Sequence, residues 1–224
     1  MTSVTEAVRG RHSIRAFKDT PVPLEVVREI LDIARYAPSG GNLQPWIVHA
    51  LTGDALSDLL GRVFKVLSEN PMGEGGDYSP YPEALWEPYR SRRFKNGEDL
   101  YATIGIGRDN KPARLMQFSR NFGFFGAPVG LFFCIDRGMG RPQWAHMGMF
   151  MQTVMLLAQE RGLATCAQEA WSVLPKTVGD FLKLPEDQML YAGMALGYAD
   201  EDAPINSLRT DRVEVDDFTS FHGF

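Results

Sequence analysis

Residues 37–46 read APSGGNLQPW and connect an amphipathic segment before them to an apolar, strand-like segment after them. Two prolines, two adjacent glycines and two amides exceed the needs of a simple helix-to-strand connection, which requires only a glycine cap and one proline. Pro38 ends the preceding helix, and the glycine pair permits positive φ or the close approach of a flat ligand. Asn42 and Gln44 each offer one acceptor and two donors, so they could hydrogen-bond to the edge of a ring that carries both N–H and C=O groups. A turn with polar capping residues is the alternative interpretation.

A second polar pattern lies upstream, in RHSIRAF at residues 11–17. Arg11, Ser13 and Arg15 are spaced two residues apart, so in an extended segment their side chains point the same way. Guanidinium groups bind phosphate through paired hydrogen bonds, and a serine hydroxyl adds another. The triplet is therefore typical of a phosphate site, although a solvated basic edge is the alternative.

Hydrophobic periodicity predicts alternating helices and strands around these motifs. A capping box at Ser3–Glu6 begins the first helix, and Asp54 is the expected cap of the third. The predicted helices cover residues 3–10, 23–37, 54–67, 112–122, 143–161 and 175–182, and the predicted strands cover residues 47–52, 129–135, 164–168 and 189–196. Because this order lacks a parallel βαβ rhythm, we expect one α+β domain spanning residues 1–224.

Two segments fall outside that pattern. Residues 70–111 are rich in Gly, Pro, Tyr and charge, and neither flank looks complete alone, so we interpret them as a lid or insertion near the active site. Residues 198–224 form a polar, extended tail that ends on Phe218, Phe221 and Phe224. Because these aromatics would be costly to leave in water, we expect the tail to pack on a second subunit.

Composition restricts the class of protein. With 224 residues, 44% of them hydrophobic, the chain can bury a complete core. A net charge of -5 gives no electrostatic case for nucleic acid or an anionic membrane as a partner. The absence of a signal-like N-terminus and of a long apolar run favours a cytoplasmic protein. Cys134 and Cys166 are expected to be buried free thiols, with a disulfide as the alternative.

Other familiar cofactor signals are incomplete. GIGRDN at residues 105–110 and GMGRPQ at residues 138–143 are not dinucleotide fingerprints, since no βαβ unit surrounds them. A nicotinamide would therefore be a transient substrate. The four histidines, at positions 12, 49, 146 and 222, lack metal-ligand spacing, so we predict no metal site and interpret His146 as a core or interface residue.

RHSIRAF followed by APSGGNLQPW resembles the opening of the nitroreductase family of FMN-dependent oxidoreductases. Later segments agree in order, namely FFGAPVGLFFCI at 124–135, RGLATCAQEAW at 161–171 and ALGYADEDAPINSLRTDR at 195–212. The tail is similar to that of nitroaromatic and nitrobenzoate-type reductases. The resemblance implies a central, mostly antiparallel sheet flanked by helices, an intertwined homodimer with exchanged C-terminal extensions, and FMN at the subunit interface.

The resemblance also implies roles for individual residues. Arg11 and Ser13 would hold the FMN phosphate with His12 beside it, while Arg15 would stabilise the reduced, anionic flavin. The implied flavin pocket includes Pro38, Ser39, Gly40, Asn42 and Gln44. The backbone expected near flavin N5 belongs to Ala167, Gln168, Glu169 and Ala170. A C-terminal phosphate cation falls on Arg212 or Arg209, and Arg120 or Asn121 would supply a further polar contact.

The implied activity is ping-pong, two-electron reduction of a nitroaromatic or similar electron-poor substrate by NADH or NADPH. This scheme requires no catalytic side chain, because the chemistry belongs to the flavin. Tyr89, Arg90 and Arg93 are candidates for recognising a carboxylate or phosphate from the lid. The alternative is a solvated helix paired with Glu83, Glu87 and Glu98. Phe124 is a candidate for the floor of the substrate site, with a core position as the alternative.

Two rival functions stay open at this point. The same fold would also suit quinone or aldehyde reduction, reductive dehalogenation or flavin destruction. A non-catalytic flavin-binding protein would share the cofactor site but would not turn over.

Overall fold

A computed structural model describes residues 2–224, which form one four-stranded sheet with helices on both faces. The strands are β1 (Ile47–Thr52), β2 (Val129–Asp136), β3 (Ala164–Gln168) and β4 (Gln188–Gly197). Their order is β1-β2-β4-β3, and every neighbouring pair is antiparallel. The expectation of an α+β fold with a mostly antiparallel sheet is confirmed.

The described chain contains seven α-helices. They are α1 (Val4–Gly10), α2 (Leu24–Ala34), α3 (Gly53–Glu69), α4 (Tyr89–Ala102), α5 (Lys111–Ser119), α6 (Arg141–Glu160) and α7 (Pro175–Leu182). The predicted capping box begins α1, where the Ser3 hydroxyl accepts from Glu6 N at 3.2 Å and the Glu6 carboxylate accepts from Ser3 N at 2.7 Å. None of the helices in residues 2–224 has the length and apolar character needed to cross a membrane.

Several predicted helix limits are wrong, and α2 ends at Ala34 instead of residue 37. Thr52, not Asp54, occupies the N-cap of α3, because Gly53 takes φ 56° and turns the chain directly from β1 into the helix. The helix predicted to reach residue 122 ends at Ser119. Beyond it the chain tightens into 3₁₀ turns, where Phe124 and Phe125 adopt φ of 48° and 56°.

The central strand β2 separates two hydrophobic cores, and all its residues from Val129 to Ile135 are buried. Leu131 and Phe133 face the core formed with α2 and α6, whereas Phe132 faces the core around Trp171. The ring of Trp171 packs closely over Gly193 of β4. A Cβ atom added at Gly193 would lie 2.2 Å from the Trp171 ring. This packing fixes the chain that follows β3.

The segment 11–17 runs along the outer edge of β3. Ile14 N donates to Thr165 O at 3.0 Å, and Ser13 pairs with Thr165 in a parallel bridge. Ile14 is buried, which places Arg11, Ser13 and Arg15 on the opposite side of the segment. The predicted extended conformation is therefore confirmed, and it brings the triplet to the end of the sheet.

Candidate functional site

Four arginines gather near the start of β3 without acidic partners. Within residues 2–224, no carboxylate lies within 4.0 Å of Arg11, Arg15, Arg209 or Arg212. Arg11 is half-buried, and its pKa is lowered by burial and then by the nearby charge of Arg212. Two like charges held together at a partly buried site create a position that favours an anion.

The polar triplet converges on Cys166. Burial raises the pKa of this thiol, and Arg15, a hydrogen bond with Ser13, and Arg11 act in the opposite direction. The guanidinium groups of Arg11 and Arg15 and the hydroxyl of Ser13 therefore lie near the buried Cys166 thiol. The alternation of side chains that the sequence predicted thus produces a cluster with the chemistry of a phosphate site.

Asn206 holds this cluster in place. Its side chain is 5% exposed, donates to Ala16 O and Asp200 O at 2.8 Å each, and accepts from Arg15 N at 2.7 Å. One amide therefore joins the C-terminal segment to the backbone that carries the arginines. Sequence analysis did not single out this residue, because its contacts lie about 190 positions away.

His12 and Arg209 extend the same network. The two ring nitrogens of His12 lie 3.0 Å from Gly10 O and 3.2 Å from Asn206 O, so a doubly protonated ring would donate to both. Arg209 donates to Asn206 O at 3.0 Å and to Leu208 O at 3.1 Å. Arg209 thus braces the backbone, while Arg212 is the C-terminal arginine whose charge reaches Arg11.

A cavity of about 740 Å³ opens at the other end of β3. Most of its wall is apolar, with Phe118, Phe122, Met151 and Met155 among the lining side chains. The expected segment Ala167–Ala170 also lines this cavity. Ala170 lies in a 3₁₀ helix without positive φ, so this turn does not need a glycine there.

Gln168 and Asn121 form the polar part of the wall. Gln168 is 2% exposed, and its Nε2 donates to Asn121 O at 2.7 Å. Its buried Oε1 has no donor among the described residues. An acceptor held rigidly without a partner at a cavity wall fits a ligand that carries an N–H group.

Glu169 follows on the same wall and is one of two charged residues there, together with Arg93. Burial raises the pKa of Glu169, and its charge contributes to raising the pKa of Tyr191, for which burial is the larger cause. Glu169 nevertheless keeps part of its surface in contact with solvent.

Comparison with known proteins agrees with this architecture. A model of the nitroreductase family matches residues 8–198. The chain belongs to the nitroreductase family. It is 43% identical to a 4-nitrobenzoate reductase of Pseudomonas putida over 97% of this chain and 94% of that protein.

Two solved nitroreductase structures share the fold along the whole chain. The FMN- and NADPH-dependent nitroreductase NfnB from Sphigopyxis sp. strain HMH has a TM-score of 0.96 and 46% identity, covering 99% of this chain and 100% of that one. FMN-dependent NfnB from Mycobacterium smegmatis, solved in complex with NADPH, has a TM-score of 0.91 and 31% identity, with 97% of each chain covered.

The segment 37–46 of this nitroreductase presents its polar groups to solvent. Gly41, Asn42 and Gln44 adopt φ of 59°, 55° and 49°, and Ser39 Oγ accepts from Gln44 N at 3.0 Å. Positive φ is uncommon for a non-glycine residue, although Asn tolerates it better than most. Pro38, Gly40, Asn42 and Gln44 are all exposed, so the turn is not explained by packing within this chain.

This turn and the arginine cluster lie far apart in one chain. Gly40 contacts the ring of His146, and Gly10 contacts the side chain of Gln159, both on α6. The thirteen positions between these contacts correspond to about 20 Å of helix. Within one chain, the turn and the arginine cluster therefore lie beside different parts of α6.

The lid candidates separate into different environments. Arg93 lines the cavity, whereas Tyr89 lies in a shallow outer groove and Arg90 pairs with Glu87 at 2.7 Å. Glu98 pairs with Arg114 instead of with the basic residues of α4. Arg90 fits the solvated-helix interpretation, whereas Arg93 is exposed and also borders the cavity.

Phe124 is a core residue and not part of the cavity wall. Its side chain is 0% exposed, and its ring stacks on Trp171 with centroids 4.6 Å apart. The structure corrects the substrate assignment of Phe124, since the positive φ at this position turns the ring under the sheet. Phe118 and Phe122 occupy the cavity wall instead.

Proposed function

We propose that this nitroreductase binds FMN and uses NAD(P)H to reduce nitroaromatic or similarly electron-poor substrates in a ping-pong, two-electron cycle. The observation that carries this proposal is the pairing of half-buried Arg11 with exposed Arg212, which lacks an acidic partner and lies near the strand whose far end opens into the apolar cavity. A phosphate at one end and a flat, apolar ring at the other match that arrangement.

The chain's own groups fit FMN. Arg11, Ser13 and Arg212 would neutralise and bind the phosphate, with His12 beside them. Arg15 would stabilise negative charge on the flavin, and the unpartnered Gln168 Oε1 would accept from a ring N–H. Two relatives described as FMN-dependent nitroreductases share the fold over nearly the full chain, which supports the assignment.

When bound, FMN supplies the redox chemistry, accepting reducing equivalents from NAD(P)H and passing them to the substrate. The protein contributes orientation and electrostatics. The backbone of residues 167–170 would position the reactive edge, and the apolar wall would exclude water. Tyr191 and Glu169, both with raised pKa values, lie beside the same cavity.

We propose that the working unit is an intertwined homodimer with each flavin pocket shared between subunits. The separation of about 20 Å between the two pocket walls along α6 supports this, because the partner's turn 37–46 would complete the site. Phe218 and Phe221 are 67% and 59% exposed, and Phe224 is fully exposed. The tail formed by residues 198–224 would pack against the partner subunit and so bury these aromatics. Residues 70–111 would act as the lid.

We further propose a cytoplasmic location, since both cysteines are buried and unpaired, as expected of a reducing compartment.

Steady-state kinetics test the activity directly. Purified protein supplied with FMN, NADH or NADPH, and a panel of nitroaromatics should show multiple turnovers and parallel double-reciprocal lines, which are diagnostic of ping-pong kinetics. A flavin-binding protein without activity would consume at most one equivalent of NAD(P)H, and that result would reject the proposal. Light scattering should give twice the chain mass.

A further inference from the structure

Arg93 of α4 is the cation of the cavity wall, and its charge is not balanced within the chain. Among the described residues, no carboxylate lies within 4.0 Å of the Arg93 guanidinium. Glu169 lines the same cavity but is also farther away than this. Arg93 is exposed, and because it borders the apolar cavity without a counter-charge, its guanidinium is available to an anionic group of a ligand.

Some neighbouring cations on this face are paired. Lys95 contacts Asp99 at 2.6 Å and Asp211 at 2.7 Å, and Arg114 holds both oxygens of Glu98. Arg92 and Arg108 have no carboxylate within 4.0 Å among the described residues and stack on aromatic rings, as Arg93 does. Arg93 differs from these two arginines because it lines the cavity.

The guanidinium of Arg93 stacks over the ring of Tyr81, with its central carbon 4.1 Å from the ring centroid. Stacking occupies the flat face of a guanidinium and leaves its in-plane N–H donors free. These donors form a planar fork that matches the two oxygens of a carboxylate. Tyr81 thus orients Arg93 and does not neutralise it.

The rest of the wall suits an aromatic ring. Phe118, Phe122, Met151 and Met155 line the cavity, and aromatic and thioether groups pack favourably against a flat, polarisable ligand. An aromatic ligand that carried a carboxylate would pack its ring against these side chains and pair its negative charge with Arg93.

We propose that Arg93 binds a carboxylate on the aromatic substrate, so that anionic nitroaromatics are preferred over neutral ones. This inference rests on the proposed nitroreductase function and names the substrate class of the same site. A nucleotide phosphate is a poorer match, because it carries up to about two negative charges and Arg93 is a single cation.

Kinetics with a matched pair of substrates test the proposal. 4-Nitrobenzoate and 4-nitrobenzamide share the nitro group and ring but differ in charge. In Arg93→Gln we expect KM for the acid to rise about tenfold, with KM for the amide and both kcat values nearly unchanged, since a charge-assisted contact is lost. Arg93→Lys should recover part of the preference. Arg108→Gln, which removes a charge from the same lid segment outside the cavity, is the control.

Direct binding separates failure of this inference from failure of the proposed function. Benzoate carries no nitro group, so calorimetric titration measures recognition of the carboxylate whether or not the protein turns over. Weaker benzoate binding by Arg93→Gln, with benzamide unaffected, would support the inference. Equal effects on acid and amide, or a rise in KM confined to NADPH, would overturn it.

Discussion

Arg11 and Arg212, from opposite ends of the chain, lie close enough that the charge of Arg212 lowers the pKa of Arg11, in addition to the larger effect of burial. Such a pair is unfavourable unless an anion lies between its members. The hydroxyl of Ser13 adds a donor on the same side of the segment as Arg11. The ring nitrogens of His12 lie against Gly10 O and Asn206 O instead. The pair therefore favours an anion at this position of the fold.

Replacing Arg11 should release the cofactor. We expect Arg11→Ala to weaken FMN binding about ten- to a hundredfold, since it loses charge-assisted hydrogen bonds to the phosphate. The melting temperature of the apoprotein should not fall, because removing one of two like charges relieves repulsion in the folded state. Flavin retained in full through gel filtration would contradict the assignment.

Arg212 and Arg209 should behave differently. The charge of Arg212 reaches Arg11, and its hydrogen bonds stay within residues 210–211 next to it. Arg209 instead donates to the backbone carbonyls of Asn206 and Leu208, beside the Asn206 side chain that joins the two segments. Arg212→Gln should weaken FMN binding with little change in apoprotein stability, and Arg209→Gln should mainly lower stability. Fluorescence titration with FMN and thermal melts of the apoprotein measure the two effects, and the reverse pattern would assign the phosphate to Arg209.

Asn206 should be essential to both stability and cofactor binding. Asn206→Ala leaves Arg15 N, Ala16 O and Asp200 O without their side-chain partner, which should cost about 2 to 4 kcal/mol. Ser207→Ala is the matched control, because its hydroxyl makes one exposed bond to Pro204 O. Urea denaturation compares the two variants, and equal losses would show that Asn206 has no special role.

The pH dependence of stability should report on Glu169. Its pKa is raised by burial in the folded protein, so the folded state holds this proton more tightly than the unfolded state. Stability from this group is therefore present at low pH and is lost as pH rises above the ordinary glutamate value of about 4.3. Glu169→Gln should raise the apoprotein melting temperature near neutral pH and not below about pH 4. A gain that is independent of pH would contradict this explanation.

Subunit mixing should test the shared pocket. Arg11→Ala and the double variant Asn42→Ala with Gln44→Ala damage different walls of the site. If the walls come from different subunits, a heterodimer of the two variants contains one site with both defects and one intact site. Refolding the variants together should therefore restore part of the activity, and no recovery in confirmed heterodimers would place both walls in one chain.

Much of the fold follows from local sequence patterns. The strands at residues 47–52 and 164–168 and the spacing of Arg11, Ser13 and Arg15 depend on period-two alternation, which local sequence specifies. The role of Asn206 and the core position of Phe124 depend on contacts with distant segments. The wrong cap at Asp54 arose from Gly53, whose positive φ started the helix earlier than the side-chain pattern indicated.

Anaerobic titration of the purified protein tests the central claim most directly. The account predicts visible absorbance typical of oxidised flavin, loss of that absorbance on adding NADPH or NADH, and its return on adding a nitroaromatic without oxygen. Protein that cannot be reconstituted with FMN, or a spectrum that NAD(P)H leaves unchanged, would contradict it.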